Sequence, residues 1–311
     1  MYFVHLNGKN GSYRFTPEEK SSVLRSNGKF SVIYKGENTS GASPVIIKML
    51  HPRWNTSNEE RKRFVSEYVN SIQADFTPQV LDICELGSNL YIIREYIEGE
   101  VLSSYSENKS IREWIKKSGR EKVTLKILDV FIQLHNKNVI HGDIKPSNIV
   151  FSIRDNDLKI YIIDLGLAVP LHHTLNRNAD KPIPFALMYA APELMLNFPD
   201  LIHPATDIYS LALTIYEFLT GEKPFEVNNP AVLMSVQLNQ ALEYHSKINR
   251  ETLKVLNQAA FKFHFQKPIQ NYTSAYIRKS LNAAIICRYQ KMEDFKEALQ
   301  KAFVAKRKFW F

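Results

Sequence analysis

The sequence predicts an α+β chain of two lobes: a small mixed lobe built on an antiparallel sheet, then a larger helical lobe. Three observations carry this prediction. Strand-type runs crowd the first third of the chain, interrupted by one amphipathic helix. Beyond Gly99 the apolar residues recur at helical spacing. Between these patterns and the C-terminus, a dense polar string stands between apolar strands.

Taken in order, residues 1–22 read as a short N-terminal extension, and the small lobe spans 23–97. Residues 30–34, 45–48, 80–84 and 90–93 are rich in Val, Ile, Tyr and Phe, as strands are. Ser57-Asn58-Glu59-Glu60 has the spacing of a capping box. Phe64, Val65, Tyr68, Val69 and Ile72 then form one apolar stripe. The hinge falls near Glu95-Tyr96-Ile97-Glu98-Gly99, and the helical lobe spans 98–303. Val123, Ile127, Val130, Phe131 and Leu134 lie at helical spacing. Ile149-Val150-Phe151 and Ile160-Tyr161-Ile162-Ile163 flank Asp155-Asn156-Asp157, a hairpin turn. Residues 207–220 are an apolar helix closed by Gly221. Residues 304–311 form a basic and aromatic tail.

The bulk numbers limit the function classes. No window approaches a run of 18 apolar residues, so no membrane span is expected. Met1-Tyr2-Phe3-Val4-His5 lacks the regions of a signal peptide, and the two cysteines, Cys84 and Cys287, have neither metal-ligand spacing nor a disulfide pattern. A cytoplasmic setting follows as the expectation. The net charge is +8. Its clearest cluster, Arg112, Lys116, Lys117, Arg120, Lys122 and Lys126, has Trp114 as its one interleaved aromatic. It reads as a solvated helix face rather than a nucleic-acid surface. Oligomeric state is left open.

The chemistry lies in His141-Gly142-Asp143-Ile144-Lys145-Pro146-Ser147-Asn148 and in Ile163-Asp164-Leu165-Gly166. A carboxylate can take a proton from a hydroxyl. An amide oxygen and a second carboxylate can hold Mg²⁺ on a nucleoside triphosphate. This pair of strings resembles the catalytic loop and metal loop of the protein-kinase family. The resemblance covers about residues 23–300 and is strongest to the eukaryotic-like serine/threonine kinases of prokaryotes.

The resemblance implies a role for each residue. Asp143 is the base and Lys145 neutralises the transferring phosphoryl, while Asn148 and Asp164 hold Mg²⁺. Lys48 ends a buried-type strand and contacts the ATP phosphates, paired with Glu67 on the helix. Gly28, Phe30, Ser31, Ile33, Ile46, Lys48, Glu95 and Ile97 surround the nucleotide. Tyr189-Ala190-Ala191-Pro192-Glu193 matches the end of the activation segment. Asp207 matches the helix aspartate that holds the catalytic loop, with an N-cap as the plainer alternative. Arg288 matches the late arginine that pairs with Glu193.

Several positions depart from the family pattern. Ser26-Asn27-Gly28-Lys29-Phe30-Ser31 keeps one of three glycines. Ile46 replaces a small residue over adenine, and Arg94 stands where a charged group should close the rear of the pocket. Gly142 replaces the arginine before the base, Leu165 replaces a phenylalanine, and Ala186 replaces a threonine. In the activation segment the only serine or threonine between Gly166 and Ala191 is Thr174. Packing of Leu167, Leu171, Ile183, Phe185 and Leu187, stiffened by Pro182 and Pro184, takes the place of a phosphate switch.

The expected activity is ATP- and Mg²⁺-dependent phosphorylation of serine and threonine hydroxyls on protein substrates. Two alternatives are a small-molecule kinase of the aminoglycoside or choline kinase type and an ATP-binding pseudokinase scaffold. The first also carries His-Gly-Asp and a following Asn, but lacks a use for Lys145, Ala191-Pro192-Glu193 and Asp207. The second fits the glycine-poor loop and Ile46. It gives no chemical reason to keep Lys48, Glu67, Asp143, Asn148 and Asp164 together.

Overall fold

The computed structural model describes residues 2–19, 22–25, 30–69, 71–171 and 186–305. They fall into two compact units, one within Met1–Gly99 and Tyr161–Gly166, the other within Glu100–Ile160 and Leu167–Phe311.

The first unit is a seven-stranded antiparallel sheet with one long helix. Its strands are β1 (Val4–Asn7), β2 (Ser12–Phe15), β3 (Val23–Arg25), β4 (Ser31–Asn38), β5 (Pro44–Leu50), β6 (Val80–Leu86) and β7 (Asn89–Glu95). The order is β1-β2-β4-β5-β7-β6, with β3 beside β4. Residues 1–22 are therefore more than an extension, because β1 and β2 belong to the sheet. Leu6, Tyr13 and Phe15 bury against Tyr34, Val45, Ile47, Cys84, Tyr91 and Ile93. β1 also packs beside β6, so the path curls back on itself. Burial lifts the Cys84 thiol to about 12, with Asp82 adding to it, which keeps the thiol neutral in this core.

Strand alternation gives the sheet two faces. Val45 and Ile47 point to the core shared with β1 and β2. Leu50, Leu90 and Ile92 point to the opposite face, against Phe64 of helix α1 (Asn58–Val69). The Glu60 amide donates to Ser57 Oγ at 3.3 Å, as the capping pattern predicts. The predicted stripe is shorter than the spacing suggested. The helix ends at Val69, which is 69% exposed, so Ile72 lies beyond it. Phe64 and Glu67 are its two buried residues.

The second unit is mainly helical, with a small sheet of β8 (Glu100–Val101), β10 (Ile149–Arg154) and β11 (Asp157–Ile162, of which residues 157–160 belong to this unit), and a bridge between β9 (Val139–Ile140) and β12 (Val169–Pro170). Asp155 and Asn156 adopt φ of 51° and 59°, the left-handed pair that a tight hairpin needs. The helices are α2 (Lys109–Ser118), α3 (Arg120–Asn136), α4 (Pro192–Met195), α5 (Pro204–Thr220), α6 (Pro230–Asn239), α7 (Arg250–Ala259), α8 (Ser274–Cys287) and α9 (Met292–Ala305). α5 is buried along almost its whole length and stops at Gly221, whose φ of 78° suits glycine. It begins three residues before Asp207. His203 is its N-cap, so the cap alternative for Asp207 is corrected.

The stretch Tyr161–Gly166, expected with the helical lobe, groups with the first unit. The Ile162 amide donates to the Phe76 carbonyl at 2.8 Å, which ties it there. The basic cluster is partly engaged. Lys126 reaches Asp157 at 2.9 Å, and Arg120 donates to the Leu219 carbonyl at 2.9 Å. Among the described residues no helix is long and apolar enough to cross a membrane.

Candidate active site

In the first unit, β5 carries Lys48 opposite Ile33 of β4 and Ile92 of β7. Opposed residues of an antiparallel pair share a face, so Ile33, Ile46, Lys48 and Arg94 all project to the face that carries α1. The Lys48 ammonium donates to Glu67 Oε1 at 2.9 Å, to Glu67 Oε2 at 2.8 Å and to Asp164 Oδ1 at 2.8 Å. Its three N–H groups are thereby all used. Burial works against the Lys48 charge, but Asp164 and Glu67 outweigh it and raise the ammonium pKa, with Arg94 opposing them.

Glu67 also receives Arg94 Nη2 at 2.5 Å. Arg94 is thus a buried ion-pair partner of Glu67. No sequence signal foretold this pairing, which joins a strand to a helix 27 residues away. Gly166 follows from close approach. A Cβ there would lie 3.0 Å from Glu67 Oε2, so a side chain would push on the Lys48 partner. Asp164 adopts φ of 63°, a left-handed conformation that is uncommon outside glycine and that gathers at functional sites.

Of the expected nucleotide-contacting residues, Ser31, Ile33, Ile46 and Glu95 are partly buried and Ile97 is buried. Phe30 stacks on Trp54 at 5.9 Å, with the Arg63 guanidinium 4.8 Å from its ring centre. Gly28 and its neighbours 26–29 lie outside the described residues, as do Thr174, Pro182, Ile183, Pro184 and Phe185.

In the second unit, the loop between β9 and β10 holds Asp143, Lys145 and Asn148. The Lys145 ammonium contacts the Asp143 carboxylate. Asn148 Nδ2 donates to the Asp143 carbonyl at 2.9 Å and to its carboxylate at 3.2 Å. Asp207, 1% exposed, fixes the loop backbone by accepting the amides of His141 at 2.8 Å and Gly142 at 2.9 Å. His135 Nε2 lies 2.9 Å from the same carboxylate, a partner the sequence did not reveal. Glu193 and Arg288 form a fully buried bidentate pair at 2.7 and 3.1 Å, and Thr206 Oγ1 donates to Glu193 at 2.7 Å.

A profile of the protein kinase domain matches residues 26–304 of this chain. The chain belongs to the protein kinase domain family. A probable serine/threonine-protein kinase of Clostridium acetobutylicum is 26% identical to it over 274 residues, 85% of this chain and 38% of that protein. Serine/threonine-protein kinase PrkC of Bacillus subtilis is 25% identical over 257 residues, covering 80% of this chain and 37% of its own length. Serine/threonine-protein kinase nekl-2 of Caenorhabditis elegans is 25% identical over 252 residues, 77% of this chain and 68% of its own. This kinase domain thus spans under two fifths of the length of the two bacterial relatives.

Kinase domains of this family use ATP and Mg²⁺. The donor set here fits that pair. Asn148 Oδ1 is buried without a hydrogen-bond partner, while the amide nitrogen of the same side chain is held by Asp143. It is a fixed hard oxygen donor, the type Mg²⁺ takes. Among the described residues no three His, Cys, Asp or Glu side chains gather to hold a metal by themselves.

Proposed function

We propose that this chain transfers the γ-phosphoryl group of ATP to serine or threonine hydroxyls of protein substrates. The observation that carries the proposal is the fixed loop of Asp143. Its carboxylate is held by Lys145 and Asn148, and the loop backbone is pinned by Asp207. A base positioned in this way can orient a hydroxyl and take its proton at a carboxylate oxygen.

The other roles follow from the same geometry. Lys48 carries a secured positive charge and has Glu67 to hold it while one N–H turns from Asp164 to a phosphate oxygen. Lys145 brings a second cation beside the Asp143 carboxylate. Asn148 Oδ1 and the Asp164 carboxylate are the metal-holding groups. Mg²⁺, when bound, neutralises phosphate charge as the phosphoryl group leaves. Gly28, Phe30, Ser31, Ile33, Ile46, Glu95 and Ile97 border the nucleotide in this proposal, with residues 23–97 and 98–303 as the two functional lobes. The partner is protein rather than nucleic acid, and the setting cytoplasmic.

A γ-labelled ATP assay of the pure chain with generic protein substrates tests this. We expect label on serine and threonine, lost in Asp143→Asn. Label on a small aminoalcohol but not on protein would favour the small-molecule alternative. ATP binding without label transfer, in the wild-type chain, would favour the scaffold.

A further inference from the structure

We infer that Arg94 is a positioning residue for the phosphate-binding lysine, holding Glu67 from a second side so that the carboxylate stays in place when Lys48 turns to a phosphate. The inference rests on the phosphotransfer proposal and concerns how its lysine is kept in place.

Three observations lead there. First, α1 carries a carboxylate on its buried face. Its buried residues are Phe64 and Glu67, with Val65 and Tyr68 partly buried against the same core. A charge inserted there ties the seat of the helix to the groups that compensate it. Second, that carboxylate is gripped from two neighbouring strands, by Lys48 of β5 and Arg94 of β7. Arg94 is 8% exposed and its Nε is buried with no partner, so its placement answers Glu67 rather than a wider hydrogen-bond network. Third, the charges alternate along a chain of four groups: Arg94, Glu67, Lys48, Asp164. Without Arg94, one ammonium faces two carboxylates.

The mechanical consequence concerns Lys48. All three of its N–H groups are occupied, so contact with a phosphate requires one to be released. Glu67 is buried, and a buried carboxylate that loses part of its charge compensation is poorly held in place. Arg94 supplies a second, independent cation from β7. Lys48 can then turn to the nucleotide while Glu67, and α1 with it, remain in place.

The test uses the full chain in four variants: Arg94→Met, Arg94→Lys, Glu67→Gln and the double variant Arg94→Met with Glu67→Gln. Turnover is measured with γ-labelled ATP and a generic protein substrate. Backbone hydrogen exchange over residues 58–69 is measured without nucleotide. We expect Arg94→Met to lower kcat at least tenfold while KM for ATP changes less than threefold, and Arg94→Lys to restore most of the loss. The double variant should be no slower than Glu67→Gln alone, because Arg94 acts through Glu67. Exchange over 58–69 should quicken at least tenfold in Arg94→Met, with the rest of the first unit unchanged. Wild-type kcat and exchange in Arg94→Met would overturn the inference, as would losses that multiply in the double variant. If the wild type transfers no phosphate, the phosphotransfer proposal fails, and the exchange measurement still decides whether Arg94 holds α1.

Discussion

Gly142 faces the backbone of Leu167 so closely that a Cβ on it would stand 3.2 Å from the Leu167 carbonyl oxygen. Its φ is 74°, a conformation L side chains adopt at a cost of roughly 1–2 kcal/mol. The position is shaped for glycine. An arginine there, which in other kinases answers an activation-segment phosphate, would be strained by this φ and pressed against the Leu167 carbonyl. Thr174→Ala and phosphatase-treated protein should therefore each keep turnover within threefold of the untreated chain. Gly142→Arg should lose activity instead of acquiring phosphate dependence. A tenfold fall in both of the first two samples would reveal a phosphate switch working through another cation.

Asp164 is the group whose loss should cost the most chemistry for the least fold. Its side chain is 28% exposed and its φ is 63°. Asp164→Ala should cut Mg²⁺-dependent turnover about a thousandfold, the scale of losing one charge clamp on a reacting group. Circular dichroism and the unfolding midpoint should stay near wild type. Retained turnover would remove Asp164 from the metal-holding set.

The turn of the β1–β2 hairpin is anchored on a carboxylate with no exposed surface. Asp82 accepts the amides of Lys9 at 3.1 Å, Asn10 at 2.8 Å and Ile83 at 2.9 Å. Removing that acceptor deletes three hydrogen bonds from part-buried backbone donors, each worth roughly 1 kcal/mol net. Asp82→Ala should lower stability by about 3 kcal/mol in urea unfolding. Gly8→Ala should act in the same direction, because its Cβ would fall 2.1 Å from Asp82 Oδ2. Two variants of unchanged stability would show that the hairpin does not need this anchor.

Glu193 and Arg288 are both completely buried, so neither tolerates the loss of the other. Arg288→Met alone should destabilise the chain by about 3–5 kcal/mol, the usual result of leaving one buried charge uncompensated. Pairing it with Glu193→Leu should cost less than the two single effects added together. Additive losses in thermal or urea unfolding would argue against a coupled pair.

Much of the candidate site could be read from the chain because its parts are local. Asp143, Lys145 and Asn148 lie within one loop, and their spacing alone brings the amide to the carboxylate. Lys48 was legible because strand alternation sends it to the face away from Val45 and Ile47. The strands, the hairpin at Asp155 and Asn156, and α5 up to Gly221 followed from periodicity and turn chemistry of the same short range.

Tertiary structure decided what meets across distance. Periodicity says which face of an element is buried, but not what covers it. The four-residue strands β1 and β2 are too short to announce themselves. Only the curled sheet shows that Leu6, Tyr13 and Phe15 complete its core. His203, not Asp207, caps α5, and the Asp207 carboxylate holds the amides of His141 and Gly142. The partner of Arg94 is a tertiary fact as well. Its choice of Glu67 depends on how β7 and α1 dock, a decision made by packing among residues far apart in the chain.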